Sequence, residues 1–328
     1  MKKIVLSLLA ITLTFFACDQ PLPENINGMA IGTYYNITYI GTPNSQLKTG
    51  IDSIFKEITY LFSVFDTTSI ISQVNRNESP TLPPEFITLF QKAKIINGLT
   101  EGAFEPTIYP LINLWGFGND QPSQLPTTIQ IDSVKEWVGM DKLYIENGQI
   151  HKKDPRVQLD FNAIAKGYAA DQIAAYLSSQ GYQNFVVEVG GEVICRGDKG
   201  RRQPWRVGIQ VPTDTKNGTI ESDYTFPLAN KSIATSGNYR NYIEENQQRY
   251  SHIINPQTGQ PEKSNLLSVS VIANDCTTAD ALATALMVLG IEKSQEILQK
   301  DTSIAAHFIY FEKGNYQYYQ TKNFPKAE

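Results

Sequence analysis

The stretch TTADALATAL, Thr277 to Leu286, carries the pattern around which the fold is predicted to form. An apolar alternating run precedes it, from Ser268 to Ala273, and this run predicts a strand. The apolar residues that follow recur with helical spacing as far as Gly290, which is predicted to end the helix. The sequence therefore predicts a strand that leads directly into a helix.

Two polar residues of this helix suggest a metal site. Asp280 and Thr284 stand four residues apart, so both side chains project from one face. A carboxylate and a hydroxyl are hard oxygen ligands of the kind that magnesium prefers. A capping box is the alternative, with Thr277 and Asp280 satisfying free amides at the helix start and Thr284 bonding back to the carbonyl of Asp280.

The N-terminus is predicted to be an export signal, residues 1–17. A short basic start is followed by an uncharged run from Ile4 to Ala17, which is too short for a resident transmembrane helix. Cys18 follows a small residue at the end of this run, as in a bacterial lipoprotein signal, which predicts lipid on its thiol. Because Phe15 and Phe16 depart from the usual lipoprotein pattern, an ordinary signal peptide with a chance cysteine is the alternative.

Beyond the signal, residues 18–27 are polar and contain proline, so they are predicted to form a tether. Residues 28–328 then suffice for one large domain or two closely joined lobes. The formal net charge of -5 gives no basic footprint for nucleic acid.

The cysteines and histidines do not suggest a zinc site. No CxxC pair is present, and the three histidines are not closely spaced. Lipidation of Cys18 would leave Cys195 and Cys276, which lie in or beside apolar runs. We interpret these two as buried free thiols, although an oxidising compartment would permit a disulfide between them.

The stretch from Val157 to Asp171 predicts a strand, a turn and a helix in succession. The strand would deliver Asp160, the turn Ala163, and the helix would begin near Ile164. Such a junction points backbone amides and a lysine, here Lys166, at an anion. The GxxxxGK[ST] spacing of a P-loop is absent, and a solvated surface lysine is the alternative for Lys166.

Further candidates lie in turns and irregular segments. Phe65 stands in a Ser/Thr/Asp turn, where it would pin the loop to the core or stack on a planar ligand. Residues Gly102 to Gly118 are dense in Gly, Pro and aromatics, which predicts irregular backbone around a ligand or a stiff core loop. Adjacent Gly190 and Gly191 suggest a tight turn or close approach to a ligand. His252, between a strand and a turn, fits a structural residue or a general base.

Eight segments, in order between about residues 28 and 290, resemble the successive motifs of the ApbE-type flavin transferases. Eight modest matches in sequence order make a specific signal, and a lipoprotein N-terminus is similar to that of envelope members of the family. The segments are AIGTYYNI, FSVFDTTSIISQVN, GAFEPTIYPLINLWGFG, LDFNAIAKGYAAD, VEVGGE, IATSGNYRNY, HIINPQTG and TADALATALMVLG.

This resemblance implies an FAD:protein FMN transferase. Such enzymes use Mg²⁺, cleave the diphosphate of FAD, attach FMN to a threonine or serine of a partner protein, and release AMP. Their targets include subunits of sodium-pumping quinone reductases and of Rnf electron-transfer complexes. An FAD pyrophosphatase and a non-catalytic flavin-binding lipoprotein are the alternative functions.

The resemblance also implies roles for individual residues. Asp280 and Thr284, with the backbone carbonyl of Ala163, match the metal site, and His252 matches the proposed general base. Two positions depart from the family pattern, since Ile31 replaces a methionine and Glu105 stands where aspartate is commoner. The positions matching the FAD site are Ile31, Phe65, Ala103, Phe104, Glu105, Asp160 and Lys166.

For the fold we expect a mixed α+β domain, with a largely antiparallel sheet flanked by helices. The resemblance implies an ApbE-like, T-fold-related architecture, with FAD between two lobes. It further implies a lipid-anchored protein of the bacterial cell envelope that faces the periplasm.

Overall fold

The computed structural model describes residues 22–119, 124–200, 202–211, 224–238, 242–245, 248–262 and 264–327. The predicted signal peptide, Cys18 and residues 18–21 of the predicted tether lie outside these ranges. Within the described residues, no helix is long and apolar enough to cross a membrane.

The described residues contain strands from one end of the chain to the other. In chain order they are β1 (Pro23–Ala30), β2 (Thr33–Ile40), β3 (Leu143–Glu146), β4 (Gln149–Lys152), β5 (Phe185–Val189), β6 (Glu192–Arg196), β7 (Trp205–Ile209), β8 (Tyr224–Leu228), β9 (Ser232–Gly237), β10 (Tyr242–Glu245), β11 (Gln248–Ser251), β12 (Leu266–Ala273), β13 (Ala305–Glu312) and β14 (Asn315–Gln320).

Helices separate several of these strands. They are α1 (Gln46–Phe62), α2 (Ile70–Asn75), α3 (Pro84–Leu99), α4 (Tyr109–Trp115), α5 (Thr128–Lys135), α6 (Ala165–Ser179) and α7 (Cys276–Leu298), with a short 3-10 helix at Met140–Lys142.

The main sheet has eight strands in the order β1-β2-β5-β6-β9-β12-β13-β14. Every neighbouring pair is antiparallel. Three hairpins, β3–β4, β7–β8 and β10–β11, form small sheets of their own. The prediction of a mixed, largely antiparallel α+β fold is therefore confirmed.

Helices α6 and α7 pack on each other and on the middle of the main sheet. Helix α6 contacts β5 and β6, whereas α7 contacts β9 and β12. Both helices bury an apolar face, and these faces belong to the same large apolar core as β2 and β5. This layer of two helices brings the start of α6 beside the first turns of α7.

Residues with positive φ form two hairpin turns and one helix break. Asn147 and Gly148 join β3 to β4 with positive φ at both residues, as a two-residue hairpin requires. Gly190 and Gly191 join β5 to β6 with φ of 65° and 106°. Gly290 has φ 72° and ψ 178°, a non-helical conformation that divides α7 into two helical segments, the second of which continues to Leu298. The first segment therefore ends at Gly290, as predicted.

Some predicted boundaries need correction. Strand β1 begins at Pro23, so the second half of the predicted tether is an edge strand paired with β2. Residues 157–160 form only one isolated bridge, between Ile108 and Gln158, instead of a strand. The Gly102–Gly118 segment contains helix α4, because its apolar side chains pack into a small cluster of their own.

Candidate active site

A cavity of about 1280 Å³ opens between the main sheet, the helix starts and the β7–β8 hairpin. Every candidate residue from the sequence, apart from Cys18, lines it. These residues are Ile31, Phe65, Ala103, Phe104, Glu105, Asp160, Ala163, Lys166, His252, Asp280 and Thr284. Residues that are up to 253 positions apart in sequence therefore meet in one cavity, as a shared binding site requires.

Close packing of α6 on α7 positions Asp280. A methyl group added at Gly167 would lie 2.3 Å from the carbonyl oxygen of Cys276 and 2.8 Å from Cβ of Asp280, so only glycine fits there. The N–H of Gly167 donates to Oδ2 of Asp280 over 2.9 Å. Asp280 therefore caps α6 instead of its own helix, and the capping-box interpretation is wrong.

The start of α7 is capped by other residues. Asp275 is the N-cap, and its side chain accepts from the N–H of Thr278 over 2.8 Å. Asp171 of α6 accepts from the N–H groups of Cys276 and Thr277 and from the Thr277 hydroxyl, over 2.9, 2.8 and 2.5 Å. The two helices thus cap each other, with Asp171 serving α7 and Asp280 serving α6.

The donors predicted for magnesium are compatible with that ion. Oδ2 of Asp280 accepts from Gly167, whereas the polar contact of Oδ1 among the described residues is the Lys166 ammonium, with Nζ 3.8 Å away. The Thr284 hydroxyl makes no hydrogen bond with a described residue, and the back-bond considered from the sequence is not formed. Ala163 lines the same cavity. A carboxylate, a hydroxyl and a carbonyl are the oxygen ligands that Mg²⁺ accepts.

This donor set is small. Within the described ranges, no group of three or more His, Cys, Asp or Glu side chains could hold a metal ion by itself. Magnesium sites that bind phosphates use one or two carboxylates and complete the coordination with waters and phosphate oxygens. The arrangement around Asp280 is of that type.

Lys166 lies between two buried carboxylates. Its ammonium contacts Oε1 of Glu192 at 2.6 Å and Oδ1 of Asp280 at 3.8 Å. Burial alone would lower the pKa of Lys166, but Asp280 and Glu192 outweigh that effect and raise it above the ordinary value. Burial raises the pKa of Glu192 to about 7, and its Oε2 atom is buried without a hydrogen-bond partner. Lys166 is therefore a charged group of the cavity wall, not a solvated surface lysine.

Asp160 is fixed by the backbone around it. Both of its carboxylate oxygens accept from Asn162, from the N–H over 2.6 Å and from Nδ2 over 3.2 Å. Asn75 holds the preceding residue, Leu159, through hydrogen bonds to its N–H and C=O. Burial raises the pKa of Asp160 to about 6. The carboxyl group is thus presented in a fixed position at the cavity wall.

Glu105 is engaged with the protein itself. Oε1 accepts from the N–H and hydroxyl of Thr107, and Oε2 accepts from Asn97 and from the N–H of Met140. Burial nevertheless raises the pKa of Glu105 above its usual value. Its carboxylate shapes the loop that lines the cavity, and both oxygens already have partners.

The apolar part of the cavity comes from Ile31, Phe65, Ala103 and Phe104. Ala103 and Phe104 are buried, whereas Phe65 is 61% exposed at the mouth. Because of this exposure, Phe65 does not pin its loop to the core and is open to a ligand. Ile31 has φ of 43°, which is a strained value for a β-branched residue and is typical of functional sites.

His252 follows β11 directly and is half-buried in the cavity wall. Its ring makes an edge contact with Phe117, with the ring centroids 6.5 Å apart. The next residue, Ile253, donates its N–H to the Ser251 hydroxyl over 3.1 Å, which fixes the backbone after β11.

Two residues of the site, Glu192 and Asp171, could not be predicted from the sequence. Glu192 stands in the VEVGGE segment, but nothing in a single sequence indicates that Glu192 meets Lys166 across the cavity. Asp171 ends the segment from Val157, and its contact with α7 depends on how the helices pack. In both cases the signal available in the sequence was an acidic residue among apolar neighbours.

Comparison with known proteins assigns the chain to a family. The family model described as the ApbE family matches residues 31–308. The chain belongs to the ApbE family. The resemblance inferred from the eight segments is thereby confirmed.

Curated ApbE relatives match over most of their length. The chain is 37% identical over 304 residues to the FAD:protein FMN transferase of Vibrio cholerae, covering 89% of each chain. It is 35% identical over 338 residues to the FAD:protein FMN transferase of Escherichia coli K12, covering 97% of this chain and 95% of that one.

Solved ApbE structures have the same fold. The flavin transferase ApbE from Vibrio cholerae superposes with a TM-score of 0.83 at 35% identity, covering 92% of this chain and 98% of that chain. The apo form of the Pseudomonas stutzeri flavinyl transferase ApbE also gives 0.83, at 32% identity, covering 92% and 96%.

Proposed function

We propose that this protein is an FAD:protein FMN transferase, which moves FMN from FAD to a threonine or serine hydroxyl of a partner protein and releases AMP. The observation that carries the proposal is the gathering of the eleven candidate residues around one cavity in an ApbE-family chain. Relatives that are named for this activity match nearly the whole chain.

The cavity is large enough for a dinucleotide. Pockets for drug-sized ligands are roughly 300–1,000 Å³, and this one is about 1280 Å³. We assign the flavin ring to the apolar wall near Phe65 and Phe104, and the diphosphate to the charged wall at Lys166. Asp160 is available to accept a hydrogen bond from the nucleotide.

We assign magnesium to Asp280, Thr284 and the carbonyl of Ala163, because these oxygens suit the ion and lie in one wall of the cavity. When bound, the ion would neutralise charge on the diphosphate as the bond to AMP breaks. Lys166, held beside Asp280 at 3.8 Å, adds a fixed positive charge to the same region.

The transfer step balances as a substitution at phosphorus. The acceptor hydroxyl oxygen bonds to the phosphorus of the FMN half, and the bond from that phosphorus to the AMP oxygen breaks. His252 takes the proton of the hydroxyl, and AMP leaves with the bonding electrons. Water in place of the hydroxyl would give FMN and AMP, the pyrophosphatase outcome.

The setting of the reaction is part of the proposal. The signal-like residues 1–17 and Cys18 support a lipid anchor in the bacterial envelope, with the domain facing the periplasm. A flavoprotein subunit of a quinone reductase or an Rnf-type complex is the acceptor class that we propose. The net charge of -5 gives no basic footprint for nucleic acid.

Stoichiometry tests this function. The protein is incubated with FAD and Mg²⁺, with and without the purified flavin-carrying domain of a quinone-reductase subunit, and AMP, FMN and protein-bound flavin are quantified by chromatography. A transferase gives equal amounts of AMP and bound FMN, and only when the acceptor is present. Free FMN and AMP without acceptor would indicate a pyrophosphatase, and intact FAD throughout would indicate a binding protein.

A further inference from the structure

Strand β9 has an open edge inside the cavity. On one side it pairs with β12 along its whole length, from Ser232 to Gly237. On the other side it pairs with β6 only at Ser232 and Ile233. Continuing that register places Thr235 opposite Gly191, which lies in the β5–β6 turn, so the ladder stops there.

The direction of the backbone groups on this edge follows from the flanking hydrogen bonds. The carbonyl of Lys231 accepts from Cys195 on the β6 side, whereas the N–H of Asn238 donates to Leu267 on the β12 side. Since successive residues of a strand point to opposite neighbours, Thr235 and Gly237 direct N–H and C=O to the open side. Among the described residues, no hydrogen bond reaches these main-chain groups.

The space beside this edge is part of the cavity formed by the described residues. Thr235, Ser236 and Gly237 all line the cavity, and a methyl group added at Gly191 would meet nothing within 4 Å. Because Gly191 has no side chain and open space beside it, a second chain can approach the edge there without a clash.

The open edge and His252 line the same cavity. His252 follows Ser251, the last residue of β11. The positions assigned to FAD lie on other elements: the β1–β2 turn, the loops that precede α2 and α4, and the start of α6.

We propose that the hydroxyl-bearing segment of the acceptor binds in extended form along the open edge of β9, pairing with Thr235 and Gly237. Strand addition of this kind gives affinity through main-chain hydrogen bonds, and it suits a partner recognised by shape and backbone. The inference rests on the proposed FMN transfer, because the added strand would carry its hydroxyl to His252.

Proline at Gly237 tests the added strand. Gly237→Pro removes the N–H that points to the open side, and its ring occupies the edge. It removes no hydrogen bond between β9 and β12, because that N–H points away from β12. We expect the KM for the quinone-reductase acceptor domain to rise at least about tenfold, while the Kd for FAD stays at the wild-type value. The control variant Gly237→Ala keeps the N–H, so it should keep most of the wild-type affinity for the acceptor.

Hydrogen exchange on the wild-type protein gives a second measurement that needs no variant. Acceptor binding should slow exchange in the peptide that contains residues 235–237. An unchanged KM in Gly237→Pro with unchanged exchange would overturn the inference, and so would a matching loss of FAD affinity, which would assign the edge to the nucleotide. If the wild-type protein binds FAD and acceptor but transfers no FMN, the proposed function itself fails.

Discussion

The structure changes the chemical interpretation of Lys166 more than that of any other candidate residue. In the sequence it could be a solvated lysine, but its ammonium lies 2.6 Å from Glu192 and 3.8 Å from Asp280. A cation this close to Asp280, the proposed metal ligand, would compete with the metal unless another carboxylate holds it. Glu192 supplies that carboxylate, so it keeps Lys166 in the cavity wall and leaves Oδ1 of Asp280 accessible.

Glu192→Gln should therefore raise the magnesium concentration needed for half-maximal FMN transfer. With the charge of Glu192 removed, Asp280 is the remaining carboxylate beside Lys166, and the ammonium should move toward it. Loss of a group that supports a metal site costs about tenfold or more in metal affinity. The measurement is the rate of FMN transfer as a function of Mg²⁺ concentration.

Glu188→Gln is the matched control. Glu188 is another cavity-lining glutamate, but it accepts a hydrogen bond from the Tyr34 hydroxyl over 3.1 Å and has no contact with Lys166. Its magnesium requirement should stay within about twofold of wild type, as for a residue outside the metal site. An equal rise in the magnesium requirement of both variants would show a general charge effect and contradict the role given to Glu192.

At the scale of elements, the site depends on the contact between α6 and α7. Asp171 caps α7, Asp280 caps α6, and Gly167 permits the approach. The same contact that stabilises the two helices thus holds Lys166 beside Asp280, the proposed metal ligand. Stability and activity should therefore respond together to changes at this contact.

Gly167→Ala should destabilise the protein and abolish transfer. The added methyl group meets backbone atoms of Cys276 at 2.3 and 2.7 Å, which cannot move without shifting α7. Overpacking of this kind costs about 1–3 kcal/mol of unfolding free energy. Denaturant unfolding and the transfer assay measure the two effects.

Gly98→Ala serves as the control for that substitution. Gly98 lies in α3, is exposed, and an added methyl group meets nothing within 4 Å. Alanine should stabilise the helix by up to about 1 kcal/mol and leave transfer unchanged. A Gly167→Ala protein as stable and active as wild type would show that the helices do not need this close approach.

The C-terminal strands contain an acid-sensitive element. His307 of β13 is 2% exposed among Tyr224, Tyr318 and Phe324, and its Nδ1 has no hydrogen-bond partner in the described part of the chain. Burial lowers its pKa from 6.5 to about 4. Between these values the unfolded chain takes up a proton that the folded chain does not, so stability falls as the pH falls.

His307→Leu should remove that part of the pH dependence. At pH 4 the wild-type protein should have lost about 3 kcal/mol of unfolding free energy through this residue, relative to pH 7. The buried carboxyl groups are common to both proteins and cancel in the difference. Denaturant unfolding at several pH values measures the effect, and parallel pH curves for the two proteins would contradict it.

At the scale of the whole molecule, the sequence predicted local elements and site residues better than the order of the strands in the main sheet. Local patterns predicted β12, the starts of α6 and α7, and the turn at Gly190 and Gly191, because each depends on nearby apolar spacing or glycine. The order of the main sheet could not be predicted, since β6, β9 and β12 are neighbours separated by long connections. Pairing of that kind depends on tertiary packing.

The same distinction applies to the site. The eight family segments predicted eleven cavity residues, because each segment carries its residue types in a recognisable order. The partners of those residues were not predictable. Asp280 could cap its own helix or serve another element, and only the approach of α6 at Gly167 decides between the two.

Intact-mass spectrometry of the acceptor tests the central claim most directly. The flavin-carrying domain of a quinone-reductase subunit is incubated with FAD, Mg²⁺ and either the wild-type protein or Asp280→Asn, which keeps an acceptor for Gly167 but lacks the negative charge. We predict that the wild-type protein adds one FMN to the acceptor and that Asp280→Asn adds none. An unmodified acceptor with the wild-type protein, or equal modification by Asp280→Asn, would contradict the account.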